Sequence, residues 1–132
     1  MSQNRQLFEF AAAANTLLVT VNGPFMEFRD NDVRNAYNEA YRLLCQPDAR
    51  HLLVDFSRLT YFGSTLVGIL IRLARRVGQN GGETVLCGMT DPMQEMLRAL
   101  MLLENTKTDF PLKPFAEVSE GLAYLQSLPS AS

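Results

Sequence analysis

The sequence predicts an α/β fold: a single domain built on a mixed β-sheet, an N-terminal hairpin plus parallel strands, with about four α-helices. Three observations predict it. Leu17, Val19 and Val21 fall on one face of an extended segment, with Leu18, Thr20 and Asn22 on the other. Leu52-Leu53-Val54 is an unbroken apolar run between polar residues, the pattern of a strand covered on both faces. A helical stripe, Leu66, Ile69, Leu70, Leu73 and Val77, separates that run from another short apolar segment, Thr84-Val85-Leu86-Cys87. Two strands joined by such a helix lie parallel, with a right-handed crossover. The 132 residues leave room for one domain, residues 1–132 with a core over about 7–127.

The elements follow in order. Phe8 and Phe10 share the period of two, and Ala13-Ala14-Asn15 turns the chain into the 17–21 strand, which makes the hairpin. Gly23-Pro24 ends that strand, because proline has no N–H to give a ladder, and a loop runs to about Asp30. Asn31 is placed to cap a helix carrying Val33, Tyr37, Ala40 and Leu44 on one stripe, ending near Gln46-Pro47. The 52–54 strand comes next, opened by His51, and then the Leu66 stripe, closed by Gly78 with Gly81-Gly82. Asp91-Pro92-Met93-Gln94 reads as a capped helix start, followed by Met93, Met96, Leu97, Leu100 and Met101 on one side. A last helix begins near Ala116 with Val118, Leu122 and Leu125, and Pro129 to Ser132 read as a frayed tail.

Composition narrows the function. Lys+Arg 12 against Asp+Glu 14 gives a formal net charge of −2, so nucleic-acid binding has no electrostatic support. No stretch approaches the roughly 20 apolar residues of a membrane span, and residues 1–10 lack a signal-peptide core, so the expected location is the cytoplasm. Cys45 and Cys87 show no zinc-ligand spacing and read as reduced core residues. No metal and no cofactor is expected. His51, the one histidine, reads as a half-exposed strand residue; an enzyme would have to bring a nucleophile to it. The glycines at 78, 81 and 82 follow a helix, whereas phosphate-cradling glycines precede one.

Residues 55–68, DFSRLTYFGSTLVG, carry the information. The segment leaves a buried strand, crosses a loop with Tyr61 and Phe62, and puts Gly63-Ser64-Thr65 where a helix begins. At about 100° per residue, Gly68, Ile71 and Arg75 fall within about 40° of Ser64, opposite the Leu66/Leu70/Leu73 stripe. Val67 lies near Ile71, Gly68 removes side-chain bulk from the row, and Gly63 gives the loop backbone freedom. A sparse apolar strip beside a bare backbone position suits docking by another protein, although Gly68 could also serve internal packing. Ser64 could act simply as the helix N-cap. A hydroxyl there is also a suitable phosphorylation site, because the helix start favours a dianion by about 0.3–2 kcal/mol, while the same dianion spoils a close interface.

These segments resemble the STAS domain, shared by bacterial anti-sigma factor antagonists and the cytoplasmic tails of sulfate transporters. The likeness runs over Leu17 to Leu125 and is strongest in Leu53-Val54-Asp55-Phe56-Ser57 and Leu59-Thr60-Tyr61-Phe62-Gly63-Ser64-Thr65-Leu66-Val67-Gly68-Ile69-Leu70. Gly81-Gly82, Asp91-Pro92 and the Phe115, Val118, Leu122, Leu125 run are similar too. The resemblance implies a partner switch: the unmodified protein binds an anti-sigma factor that is also a serine kinase and frees a sigma factor, and phosphorylation breaks the complex. It places Ser64 at the phosphoacceptor position and Thr65 at the second serine. Two positions depart from the family pattern: Gly63 stands where an Asp precedes the acceptor, and Met26 where an acidic loop residue is usual. The expected partner-binding set is Gly63, Ser64, Val67, Gly68, Ile71, Arg75 and Met26. The alternatives are a scaffold forming homo- or hetero-oligomers with other STAS proteins, or a domain that binds a small ligand such as a nucleotide.

Overall fold

A computed structural model describes residues 6–24, 27–103 and 110–129. In chain order the elements are β1 (Phe8–Ala13), β2 (Thr16–Val21), α1 (Asp30–Leu44), β3 (His51–Asp55), α2 (Ser64–Gln79), β4 (Thr84–Cys87), α3 (Asp91–Ala99), β5 (Leu112–Phe115) and α4 (Val118–Ser127). The strands form one sheet in the order β1-β2-β3-β4-β5. β1 and β2 are the expected antiparallel hairpin, joined at Ala14 and Asn15. Every later neighbour pair is parallel, which puts the start of each crossover at the same edge of the sheet.

Alternation along the strands divides the core in two. Leu17, Val19, Val21, Leu52, Val54, Leu86 and Leu112 face a large cluster that includes Ala40 and Leu44 of α1, Leu66, Leu70 and Leu73 of α2, and Met93 and Leu97 of α3. Leu53, Val85 and Cys87 point the other way, against Leu125 of α4. The central strand β3 is therefore buried on both faces, as its unbroken apolar run requires.

Several expectations need correction. β5 was not foreseen: Lys113 and Pro114 interrupt its pattern, and a proline is tolerated because β5 lies at the sheet edge. Helix α1 starts one residue before Asn31, with Arg29 at the N-cap and the Asp32 carboxylate accepting from the Arg29 N–H at 3.0 Å. For α3 the N-cap is Thr90, whose hydroxyl accepts from the Met93 N–H, and Asp91 begins the helix. Leu100 and Met101 do not continue its buried stripe. The helix ends at Ala99, Met101 adopts φ 60°, and the N–H groups of Met101 and Leu102 donate to the carbonyls of Arg98 and Leu97. The Leu100 and Met101 side chains are thereby left exposed, at 54% and 69%. Cys45 follows the last residue of α1 and is exposed, whereas Cys87 is buried; both are free. His51 is 2% exposed, so it is a core residue. Residues 130–132 of the expected tail lie outside the described residues.

Candidate functional site

The site is assembled where β3 hands over to α2. At the end of β3 the Asp55 carboxylate accepts from the Ser57 N–H at 2.9 Å and turns the chain away from the sheet. Phe56 donates its N–H to the Cys87 carbonyl at 2.8 Å, which keeps it in register with β4. Phe56 and Phe62 are both buried, their ring centroids 5.2 Å apart. These two anchors hold the ends of the loop, Leu59 tucks into the core between them, and Tyr61 stands out at 53% exposed.

Neighbouring loops lock this one in place. The Thr90 hydroxyl donates to the Thr60 carbonyl at 3.0 Å, tying the start of α3 to the loop. Gly23 approaches so closely that an added Cβ would stand 2.6 Å from Leu59 Cδ1, leaving no space for a side chain. Arg58 reaches back to the hairpin, donating to Glu9 and to the Asn22 side-chain carbonyl, each at 2.9 Å. The Glu9 carboxyl is held below its ordinary range by its hydrogen bond from Asn22 and then by the Arg58 cation. All of this lies at the carboxyl edge of the sheet, where α/β folds present their working surfaces.

Gly63 is the N-cap of α2, with extended backbone, and Ser64 is the first residue of the helix, not its cap. Ser64 and Thr65 are exposed. No acidic residue occupies the first turn of α2, so the partial positive charge of the helix start has no carboxylate of its own there. Gly68 and Ile71 are half-buried, and Arg75 is exposed with its guanidinium 5.0 Å from the Phe110 ring centroid. The structure thus brings Gly63, Ser64, Gly68, Ile71 and Arg75 onto one outward row. Val67 departs from the expectation: it is 5% exposed and belongs to the core, because it sits at the flank of α2 turned toward the sheet. Met26 lies outside the described residues.

Gly68 has open space around it. A Cβ built there meets nothing within 4 Å, and the same holds at Gly63. The internal-packing reading of Gly68 is therefore not the explanation. Gly121 in α4 behaves oppositely: its Cβ would stand 2.7 Å from Cys87 Sγ and 3.2 Å from Leu53 and Val85. Burial pushes the Cys87 thiol up to about 12, with Asp55 adding to the effect, which leaves it unreactive.

The residues weighed for enzyme or metal chemistry are dispersed. His51 stands at the amino end of β3 and Cys87 at the carboxyl end of β4, opposite edges of the sheet. Among the described residues no three His, Cys, Asp or Glu side chains are grouped to hold a metal. A groove of about 860 Å³ runs between β1 and α1, lined in part by Phe10, Arg29, Asn35, Glu39 and Arg42. The expected set omits Arg72, which is exposed on α2 one helical turn after Gly68, a spacing that could have revealed it.

The STAS domain family model matches residues 8–120. The chain belongs to the STAS domain family. Solved STAS structures share its fold at low identity. An anti-sigma factor antagonist STAS domain protein from Planctomyces limnophilus matches with a TM-score of 0.73 and 17% identity, over 91% of this chain and 98% of that one. A point variant of RsbS from Moorella thermoacetica gives 0.74 and 17%, over 90% and 94% of the two chains. The Bacillus cell fate determinant SpoIIAA in its phosphorylated form gives 0.66 and 16%, over 89% and 97%. The STAS fold seen here is thus the fold of anti-sigma factor antagonists. Among the described residues no helix is long and apolar enough to cross a membrane.

Proposed function

We propose that this STAS domain is an anti-sigma factor antagonist-like regulatory protein of the cytoplasm. It binds an anti-sigma factor that is also a serine kinase through the Ser64–Gly68–Ile71–Arg75 row, and so releases a sigma factor for transcription. One observation carries the reading: Gly68 interrupts α2 with no intramolecular contact to justify it, since an added Cβ meets nothing within 4 Å. A mid-helix glycine sacrifices about 1 kcal/mol relative to alanine. A close approach by another macromolecule accounts for that sacrifice.

Phosphorylation of Ser64, with Thr65 as the second hydroxyl, ends the complex in this reading. The dianion is favoured at the unoccupied helix start, and its bulk and desolvation cost oppose a close interface. Affinity of an anti-sigma factor kinase from the same organism, measured for wild type, Ser64→Asp and Ile71→Glu, tests the proposal. Both substitutions weaken binding by about tenfold or more if the row is the interface, since buried charge without a partner is costly. Unchanged affinity in both variants refutes it.

A second reading is favoured by Gly63, which leaves no carboxylate beside the acceptor. In it the domain is a scaffold that assembles with other STAS proteins without a phosphorylation cycle. Gly63→Asp separates the two, because its side chain has open space. A kinase cycle is strengthened by the restored carboxylate, whereas a scaffold shows a stable oligomer and no phosphate on Ser64 in either form.

A further inference from the structure

We propose that the carboxyl-terminal half of α2 receives an acidic protein segment on a comb of guanidiniums from Arg72, Arg75 and Arg76. The inference rests on the reading of α2 as a docking face and names the chemistry of what lands there. Helix α2, residues STLVGILIRLARRVGQ, contains three arginines and no Asp or Glu, in a chain whose formal net charge is −2. The positive charge is therefore local. Neither ion pair among the described residues, Arg42 with Glu39 or Arg58 with Glu9, involves these arginines.

Each guanidinium rests on a ring. Arg72 lies 5.7 Å from the Tyr37 centroid, Arg76 6.0 Å from Tyr41, and Arg75 5.0 Å from Phe110. Tyr37 and Tyr41 are one turn apart on α1, as Arg72 and Arg76 are on α2, and the two packed helices thus form matching rungs. A cation–π contact does not use up the N–H donors of a guanidinium, and their planar fork suits a carboxylate. It also restricts the side chains before anything binds, which lowers the ordering cost of association.

The layout of the face selects the occupant. From Ser64 to Arg75 the row extends about 17 Å at 1.5 Å per residue, with Arg72 and Arg76 on its flank toward α1. Its first half is hydroxyl, glycine and isoleucine, and its second half is cationic. A helix or strand with an apolar or small-residue end and carboxylates one turn apart at the other end matches both halves. A nucleic acid meets only three cations on a chain that is acidic as a whole, and a membrane finds no continuous apolar stripe beside them.

The test is fluorescence anisotropy with a short helical peptide bearing glutamates one turn apart along one face. Its glutamine counterpart, a short DNA duplex and phosphatidylserine vesicles serve as competing probes. The glutamate peptide is expected to bind best, to weaken as salt rises, and to lose about tenfold or more in affinity to the combined variant R72Q/R75Q/R76Q. The combined variant R72K/R75K/R76K keeps the charge without the planar fork of donors and is expected to bind between wild type and the glutamine variant, which separates charge recognition from a folding defect. Equal binding of the glutamine peptide, tighter binding of DNA or vesicles, or no loss in the glutamine variant overturns the proposal. Applied to the kinase partner, R72Q/R76Q, which leaves the row intact, and Ile71→Glu tell the two readings apart: loss with Ile71→Glu alone keeps the docking row and overturns acidic recognition, whereas unchanged affinity in both overturns the row and the comb together.

Discussion

A glycine inside a helix forfeits about 1 kcal/mol relative to alanine, and Gly68 and Gly121 do so for opposite reasons. Gly121 lets α4 lie against Cys87, Leu53 and Val85, where a methyl group has no room. Gly68 has room and no neighbour to use it. Such a distinction is invisible in sequence, where both are single glycines in apolar stretches. His51 is similarly hard to read: its position at a strand start suggests partial exposure, while its side-chain partner, Glu83, lies just before β4 and 32 residues away in sequence. Its Nδ1 accepts the Glu83 N–H at 3.0 Å, which requires the unprotonated nitrogen. Burial first and the Arg50 cation second hold the imidazole below its ordinary 6.5, against an opposing pull from Glu83. The unfolded chain then takes up a proton near pH 6.5 while the folded chain resists it, so stability is full above that pH and declines as pH falls below it. Denaturant midpoints should drop between about pH 7 and pH 5. His51→Asn should flatten the decline; an unaltered slope would mean that His51 does not set it.

At the scale of elements, the periodic segments were legible and the punctuation was less so. β2, β3, α2 and β4 follow from alternation, an unbroken apolar run, a helical stripe and terminal glycines, because each buries a face that the pattern marks. β5 escaped because two of its four residues, Lys113 and Pro114, belong to an edge, where burial imposes less on the sequence. The α3 stripe was extended too far because Leu100 and Met101 keep its period while the backbone has already turned. The β1–β2 turn has a residue that fits poorly: Ala14 adopts φ 53°, where a Cβ is unfavourable by about 1–2 kcal/mol. Ala14→Gly removes that strain and gives back part of the gain as chain entropy. A net stabilisation of about 0.5 kcal/mol is expected, read as a higher denaturant midpoint with unchanged slope. A lower midpoint would show that the alanine is not strained.

Over the whole molecule, the parallel register of β2 to β5 directs the four connections that follow these strands to one edge of the sheet, and the buried pair Phe56 and Phe62 lifts the start of α2 into solvent there. The row facing outward was largely predictable from helical angles alone, since Ser64, Gly68, Ile71 and Arg75 share a side. Val67 was misplaced because its angle puts it at the boundary of that side, and only packing decides such a residue. The arginine comb was unreadable because its aromatic supports sit on α1 and near β5, far away in sequence. The central claim is that α2 keeps a glycine for a visitor and not for the fold. Gly68→Leu tests it most directly, with stability and affinity for the anti-sigma factor kinase measured on the same protein. Leucine should raise stability by up to about 1 kcal/mol through helix propensity while weakening binding about tenfold or more. Binding that persists at full strength beside the new side chain would contradict the account.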